Sequence, residues 1–263
     1  MLTAALLLAS RMAIVAAIVV SVSVVVARSG PVVGAMLAAM PISAGPSYVF
    51  LALDYPADFV ARSAISSMLA ACATPAFVVA HGLAVRVGGT LFSLVCALGA
   101  FLAAVLVVDL FTWTLPTAAA VGTVAMLLGI GATRRARREA VAFALPPRGI
   151  DLVVRALAVM TVVAAVTILA ALFGARAAGY GALIPVVFTS FIVVVQPRVG
   201  GAAIAGLFAH ALFGILAFVP AFVVVNLAAE PLGVWWALLL GLLVCAAWNA
   251  SIVLLRRRGM LPD

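Results

Sequence analysis

The chain has no lysine. All 15 of its basic residues are arginine, and only seven residues are acidic. Charged residues make up 8% of the sequence, against about 25% in an ordinary soluble domain. So small a charged fraction excludes a cytosolic enzyme, a secreted disulfide scaffold and a disordered tail. The arginine bias reads as the signature of a high-GC genome rather than as chemistry. Cysteine is scarce too: Cys72, Cys96 and Cys245 stand alone within apolar runs, where a thiol behaves as a small hydrophobe. Without a CxxC pair or a His/Cys cluster, no metal site, disulfide framework or cofactor is expected. No basic segment precedes Leu2–Leu8, and the apolar stretch there is too long for a signal peptide.

What the chain has is apolar length. Hydrophobic residues are 68% of its 263 positions, and the mean hydropathy is +1.40. Crossing a hydrocarbon core takes about 20 apolar residues. Stretches bounded by Arg, Pro, Gly or acids predict an all-α polytopic membrane protein with nine spans. They lie near 11–28, 31–53, 57–83, 88–109, 114–132, 152–174, 178–196, 200–226 and 232–255, with very short turns at Ser29–Pro31 and Ala177–Gly179. With the N-terminus outside and the C-terminus inside, 12 of the 15 arginines fall on the inner side, and Arg11, Arg62 and Arg176 fall outside. That is the positive-inside bias, and it points to a bacterial cytoplasmic membrane. The formal charge of +8 is then a topology signal rather than a nucleic-acid footprint. The longest connection, TRRARREAVAFALPPRG at 133–149, reads as a stop-transfer anchor and linker. Its alternative is a surface helix binding anionic lipid.

A diverged duplication runs through the chain. PAFVV occurs at Pro75–Val79 near the end of span 3 and again at Pro220–Val224 near the end of span 8. Arg11 pairs at a similar offset with Arg155, and Pro41 after GAMLAAM pairs with Pro185 after GYGALI. RVGG, at Arg86 and again at Arg198, implies a four-span offset instead. The five-span offset is preferred because three markers agree on it. An odd offset reverses the second copy, which gives the inverted-topology repeat common among secondary transporters. The division is then a four-helix repeat at 1–112, a linking helix and basic loop at 113–151, and a second four-helix repeat at 152–263. On this architecture the chain resembles the five-plus-five transporters of the bile-acid sodium symporter type. GPVVGAMLAAMP at 30–41 is also similar to the AbrB-type membrane proteins. The resemblance implies alternating access, but no sodium-site motif accompanies it, so the coupling ion, Na+ or H+, stays open.

Two segments stand out as places for chemistry. Span 2 puts Pro41, Gly45 and Pro46 within six residues, and each proline removes a backbone donor. An interruption is expected over Pro41–Ser47, near mid-membrane, with the hydroxyls of Ser43, Ser47 and Tyr48 around it. Its repeat partner has Pro185 followed by Thr189 and Ser190. Broken helices of this kind turn amides toward anions and carbonyls toward cations, whereas a proline kink filled by neighbours is the plain alternative. His210 is the one ionisable group expected deep in a span; it is either functional or an interhelical hydrogen-bonding group. His81 and Asn226, each six residues after a PAFVV proline, read as structural caps. Asp58 with Arg62, and Asp151 with Arg155, have the i,i+4 spacing of a helical ion pair; either arginine is also a candidate anion ligand. Asn249 reads as an interhelical bond, and Trp235 and Trp236 as interfacial anchors.

All seven acids lie at span ends or in loops, which disfavours a carboxylate-based antiporter. The expectation is a non-enzymatic secondary transporter or facilitator for a small organic solute, a carboxylate anion being the favoured class. Its substrate site is placed at Ser43, Gly45, Pro46, Ser47, Tyr48, Thr189, Ser190 and His210. The partners are the bilayer, the solute and, as an option, a second copy in a homodimer; nucleic acid is not among them. The alternatives are a non-transporting subunit or scaffold of a larger complex and, weakest, a lipid-acting enzyme, for which no HxxxH, GxSxG or acid pair is present.

Overall fold

The structure is a computed structural model and describes residues 10–14, 17, 21, 44–140 and 149–258. Among the described residues the regular structure is entirely helical. Helix α1 (Ala44–Asp54) leads into α2 (Ala57–Ala84), α3 (Thr90–Asp109), α4 (Leu115–Ala132) and the short α5 (Arg134–Arg138). After these come α6 (Gly149–Ala182), α7 (Val186–Ser190), a π-helical turn (Phe191–Val195) and α8 (Gln196–Val199). The chain closes with α9 (Gly201–Ile215), α10 (Phe218–Leu232) and α11 (Val234–Arg257). Among the described residues, six helical stretches are long and apolar enough to cross a membrane: α2, α3, α4, residues 156–182 of α6, α9 with α10, and residues 234–255 of α11.

Local chemistry sets these ends. Pro56 takes the extended N-cap position of α2. At α4, Thr114 and Thr117 close a reciprocal capping box with Pro116 in the first turn. The kink between α9 and α10 has a cause in Pro220. Because that residue lacks an N–H, the Leu216 carbonyl instead takes the Val219 amide at 3.2 Å, a tighter turn.

Helix α2 is the axis of the fold. It is 78% buried over its spanning window, against 17% for α3 and 22% for α4, and α3, α4, α6, α9 and α10 all pack on it. The approach of α4 is close because Gly122 sits between Cys72 and Val219 and Gly129 lies on Pro75. Outward faces carry large apolar side chains such as Leu91, Leu102, Leu106, Leu128 and Leu243, a surface suited to lipid and not to water.

Side-chain contacts also give each pass a direction. On α10, Val219 lies level with Cys72 and Asn226 donates to the Ala61 carbonyl, so α10 is antiparallel to α2. Gly241 meets Val225 and Trp248 donates to the Phe213 carbonyl, so α11 runs back along α10 and α9. Helix α3 carries Ser93 at the level of Gln196 and Asp109 at the level of Arg176. Ion pairs collect at the two ends. Arg11–Asp54, Arg62–Asp58 and Arg176–Asp109 lie where α2 begins, while Arg86 and Arg135 meet Glu139 where it finishes.

The stretch after α6 departs from the sequence expectation. A turn at Ala177–Gly179 was expected between spans 6 and 7; those residues are helical, and the bend is at Gly174. Gly174 has φ 78° and ψ −167°, a backbone conformation open to glycine and closed to other side chains. The chain then forms a short helix over 175–182, leaves helical geometry at Leu183–Pro185 and resumes at Val186. Gly179 lies against Ser63 and Ser66, Phe188 against Phe77, and Gln196 against His81. Residues 175–199 therefore run parallel to α2 as one discontinuous helical stretch. At about 1.5 Å per residue it is roughly 37 Å long, enough for a hydrocarbon core of about 30 Å. Span 8 also runs further than expected, to Leu232. Of the interruption expected at Pro41–Ser47, Ala44–Ser47 are helical, and Pro41–Ser43 lie outside the described residues, as does most of span 1.

Candidate functional site

Along α2, residues Ser63, Ser67, Ala70, Thr74, Phe77 and His81 follow one another at intervals of four and three. This spacing places them on one helix face, and all six are buried. The discontinuous pass lies along that face. Near its start, Tyr48 donates to Ser67 Oγ at 2.7 Å, and Ser67 donates to the Gly179 carbonyl at 2.8 Å. The Ser63 hydroxyl returns to the Phe59 carbonyl at 2.9 Å. The chain from α1 through α2 to the half-helix 175–182 is thus a closed run of hydrogen bonds, as buried hydroxyls in an apolar interior require.

Beside this run, where α2 begins, a cavity of about 510 Å3 opens. Arg62, Ser66, Trp113, Arg176 and Tyr180 line it, and Gly174 and Ala175 form part of the wall. Among the described residues, the two arginines are its only charged lining residues. Both have partners outside the lining. Arg62 pairs with Asp58 at 2.8 Å, and Arg176 Nε pairs with Asp109 at 2.5 Å. Arg176 also donates to the carbonyls of Asp109 and Phe111, which fastens the turn after Gly174 to the α3–α4 connection. Trp113 is held there by its bond to the Val108 carbonyl at 2.6 Å. A guanidinium has five donors in a planar fork, so each arginine keeps capacity to meet a carboxylate oxygen.

At the other end of the seam, His81 Nε2 lies 2.8 Å from Gln196 Oε1, and Gln196 Nε2 donates to Ser93 Oγ at 3.1 Å. Ser93 in turn donates to the Thr90 carbonyl at 2.9 Å. Aromatic rings fill the space between the two polar clusters. Phe188 stacks on Phe208 at 4.3 Å, and Phe77 lies 5.9 Å from Phe188.

The residues chosen from sequence fall around this seam to different degrees. Tyr48 is part of it, and Ser47 is buried one residue earlier. Gly45 and Pro46 occupy the first turn of α1, half-buried; Ser43 lies outside the described residues. Thr189 and Ser190 sit on the discontinuous pass, but both hydroxyls bond back to their own helix, at Pro185 (3.0 Å) and Val187 (2.7 Å). His210 is half-buried on α9, with Nδ1 2.9 Å from the Gly206 carbonyl of its own helix. Tyr48, Ser190 and His210 bond to different groups: Ser67, the Val187 carbonyl and the Gly206 carbonyl. Asp58–Arg62 forms the expected pair. Asn226 bonds across to α2, and Asn249 is buried and bonds to Cys245 at 2.9 Å. Residues 63, 66, 67, 176, 180 and 196 were not picked from sequence as seam or cavity residues. For Ser63 and Ser67 the available signal was the 4-3-4-3-4 spacing of mostly small and polar residues inside an apolar helix. No known protein family matches the chain, and no curated protein or solved structure does either.

Proposed function

We propose that the chain is a secondary transporter or facilitator for a small organic anion, with a carboxylate as the favoured class, working by alternating access. One observation carries this reading: a discontinuous helix lies along a polar face of the buried axial helix and leads into a cavity whose charged lining is Arg62 and Arg176. Non-helical backbone at membrane depth persists where it is enclosed by protein or lines a cavity, and transporters place their binding sites at such breaks.

In this reading the chain has nine passes in the cytoplasmic membrane of a bacterium, with the cavity on the outer face and the arginine-rich end inside. The two PAFVV helices belong to inverted copies. Supporting this, α2 and α10 are antiparallel and cross beside the motifs, where Gly122 fits between Cys72 and Val219. The site is centred on Arg62, Ser66, Arg176 and Tyr180, with Tyr48 and Gly179 behind it. Thermal unfolding of the purified chain against a panel of small mono-, di- and tricarboxylates, with and without sodium, tests it. A subset of carboxylates should stabilise the wild type and leave Arg62→Gln/Arg176→Gln unmoved. Stabilisation by none of them, or equal stabilisation of the double variant, refutes the reading.

A further inference from the structure

At the far end of the seam, the hydrogen-bond chain fixes the state of a buried imidazole. Ser93 donates its hydrogen to the Thr90 carbonyl, so toward Gln196 it accepts. The Gln196 amide nitrogen therefore faces Ser93 and its carbonyl oxygen faces His81. A carbonyl oxygen only accepts, so His81 Nε2 carries the hydrogen. In the neutral ring, Nδ1 is then a bare lone pair. His81 is fully buried, and Nδ1 has no hydrogen-bond partner. A buried acceptor left alone forfeits the hydrogen bonds it would make in water and calls for an occupant.

Gln196 itself is held by an unusual backbone. Its N–H closes the π turn by bonding to the Phe191 carbonyl, and Pro197, which follows, has no N–H to continue the helical ladder. A π turn holds one residue more than an α turn and occurs often at functional positions. Its relaxation to α geometry would rotate Gln196 by about 100° around the helix axis and take its carbonyl away from His81.

We infer that His81 is a proton-binding site, with Gln196 on the π turn as its sensor, and that the proton is the coupling ion of the transporter proposed above. The coupling role rests on that reading; the proton site does not. In the step, water on one side gives a proton to the Nδ1 lone pair, forming an N–H bond with no change in oxidation state. The resulting imidazolium has donors on both nitrogens and an acceptor only at Gln196, so the occupied arrangement is not the resting one. Return of the proton to water on the other side restores the neutral ring.

Arg86, two residues past the end of α2, pairs with Glu139 beyond α5 at 3.6 Å. Helix α5 also carries Arg137, over the Phe213 ring. Helix α8 carries Arg198, two residues past Gln196, and α9 carries His210, engaged at Gly206. Helix α3 presents Thr90 and Ser93. The His81 ring meets Gln196 through Nε2 and lies 5.1 Å from the Phe208 ring.

The test is nitrogen NMR of the full chain in lipid nanodiscs with labelled histidine. The chain has two histidines, and His81→Gln assigns the signals by difference. At high pH, the His81 spectrum should show a protonated Nε2 and a bare Nδ1. In spectra recorded stepwise over the pH range in which the protein stays folded, the Nδ1 signal should move to its protonated position on acidification. Gln196→Leu should change the tautomer or the titration. An Nδ1–H tautomer at high pH, or an Nδ1 signal fixed across that range, overturns the proton site. In proteoliposomes holding a carboxylate that stabilises the protein, His81→Gln should lose stimulation by a pH gradient while keeping exchange of the carboxylate. Gradient-driven uptake equal to wild type overturns the coupling role. A titrating His81 in a protein that moves no carboxylate would sink the transporter reading and leave the proton site standing. Carboxylate uptake with an inert His81 would do the reverse.

Discussion

Adding one methyl group at Gly179 tests one of the closest backbone approaches of the fold. A Cβ there would run into the Ser63 carbonyl oxygen, stand 2.7 Å from Ser66 Cβ and 3.1 Å from the Ser67 amide. Two of those three atoms belong to the backbone of the buried axial helix, which has no room to withdraw. The half-helix 175–182 would have to retreat by roughly 1 Å, the kind of overpacking that costs about 1–3 kcal/mol. Retreat also stretches the 2.8 Å bond from Ser67 to the Gly179 carbonyl, worth about 0.5–1.5 kcal/mol. Together the loss is about 2–4 kcal/mol, or on the order of 10 °C in unfolding temperature. Gly99→Ala is the matched control, since a Cβ there meets nothing within 4 Å. In the middle of α3 it should be neutral or stabilising by up to about 1 kcal/mol through helix propensity. Both variants, as full chains in one detergent, can be followed by tryptophan fluorescence on heating. If Gly179→Ala unfolds with the wild type, or Gly99→Ala falls as far, the close packing of 175–182 on α2 is wrong.

Two further outcomes follow from other contacts. Gln196→Leu removes the partner of both His81 Nε2 and Ser93 and should destabilise by about 1–3 kcal/mol; His81→Leu added to it should recover part of that loss, and a strictly additive double variant in the same melts would refute the pairing. At the arginine-rich end, the Glu139 carboxyl lies below its ordinary range, first because Arg135 hydrogen-bonds it and then through the charges of Arg135 and Arg86. A depressed folded value means the contact is complete above the usual carboxylate range and lost as pH falls through and below it. Amide hydrogen exchange over 134–139, corrected for intrinsic rate, should therefore quicken on acidification and in Glu139→Gln at neutral pH. Unchanged protection in both would show that the pair does not order this turn.

Much of the helical layout was readable from residue order. The spans expected at 57–83, 88–109, 114–132 and 232–255 lie within two residues of α2, α3, α4 and the spanning part of α11. Pro56, the Gly88–Gly89 pair, Pro116 and Gly233 punctuate apolar runs there, and punctuation is local. The region from Gly174 to Gly181 was less readable because it holds three glycines with different jobs. Gly174 turns the chain, Gly179 lets a backbone approach, and Gly181 packs against Val166 and Leu169. Letters alone do not tell a turning glycine from a packing one. The candidate site divided the same way. Tyr48 stood out because its surroundings were rich in proline and hydroxyls. Gln196 was passed over because it fell at a predicted span end, and only its partners 115 and 103 residues away reveal that it is buried.

The polar face of α2 has a consequence for how the protein is made. The most enclosed helix is also among the least hydrophobic of the six spanning stretches, with a mean hydropathy of 1.7 against 2.8 for α3. Its seam partner, residues 175–199, is synthesised about a hundred residues later. During that interval, at ribosomal speeds of about 5–20 residues per second, Ser63, Ser67 and His81 lack the groups that will cover them. The growing chain therefore passes through seconds in which its centre is unfinished. A product truncated before Gly174 would remain in that condition, an open and hydroxyl-lined helix in lipid, and should be cleared by membrane proteolysis while the full-length chain persists.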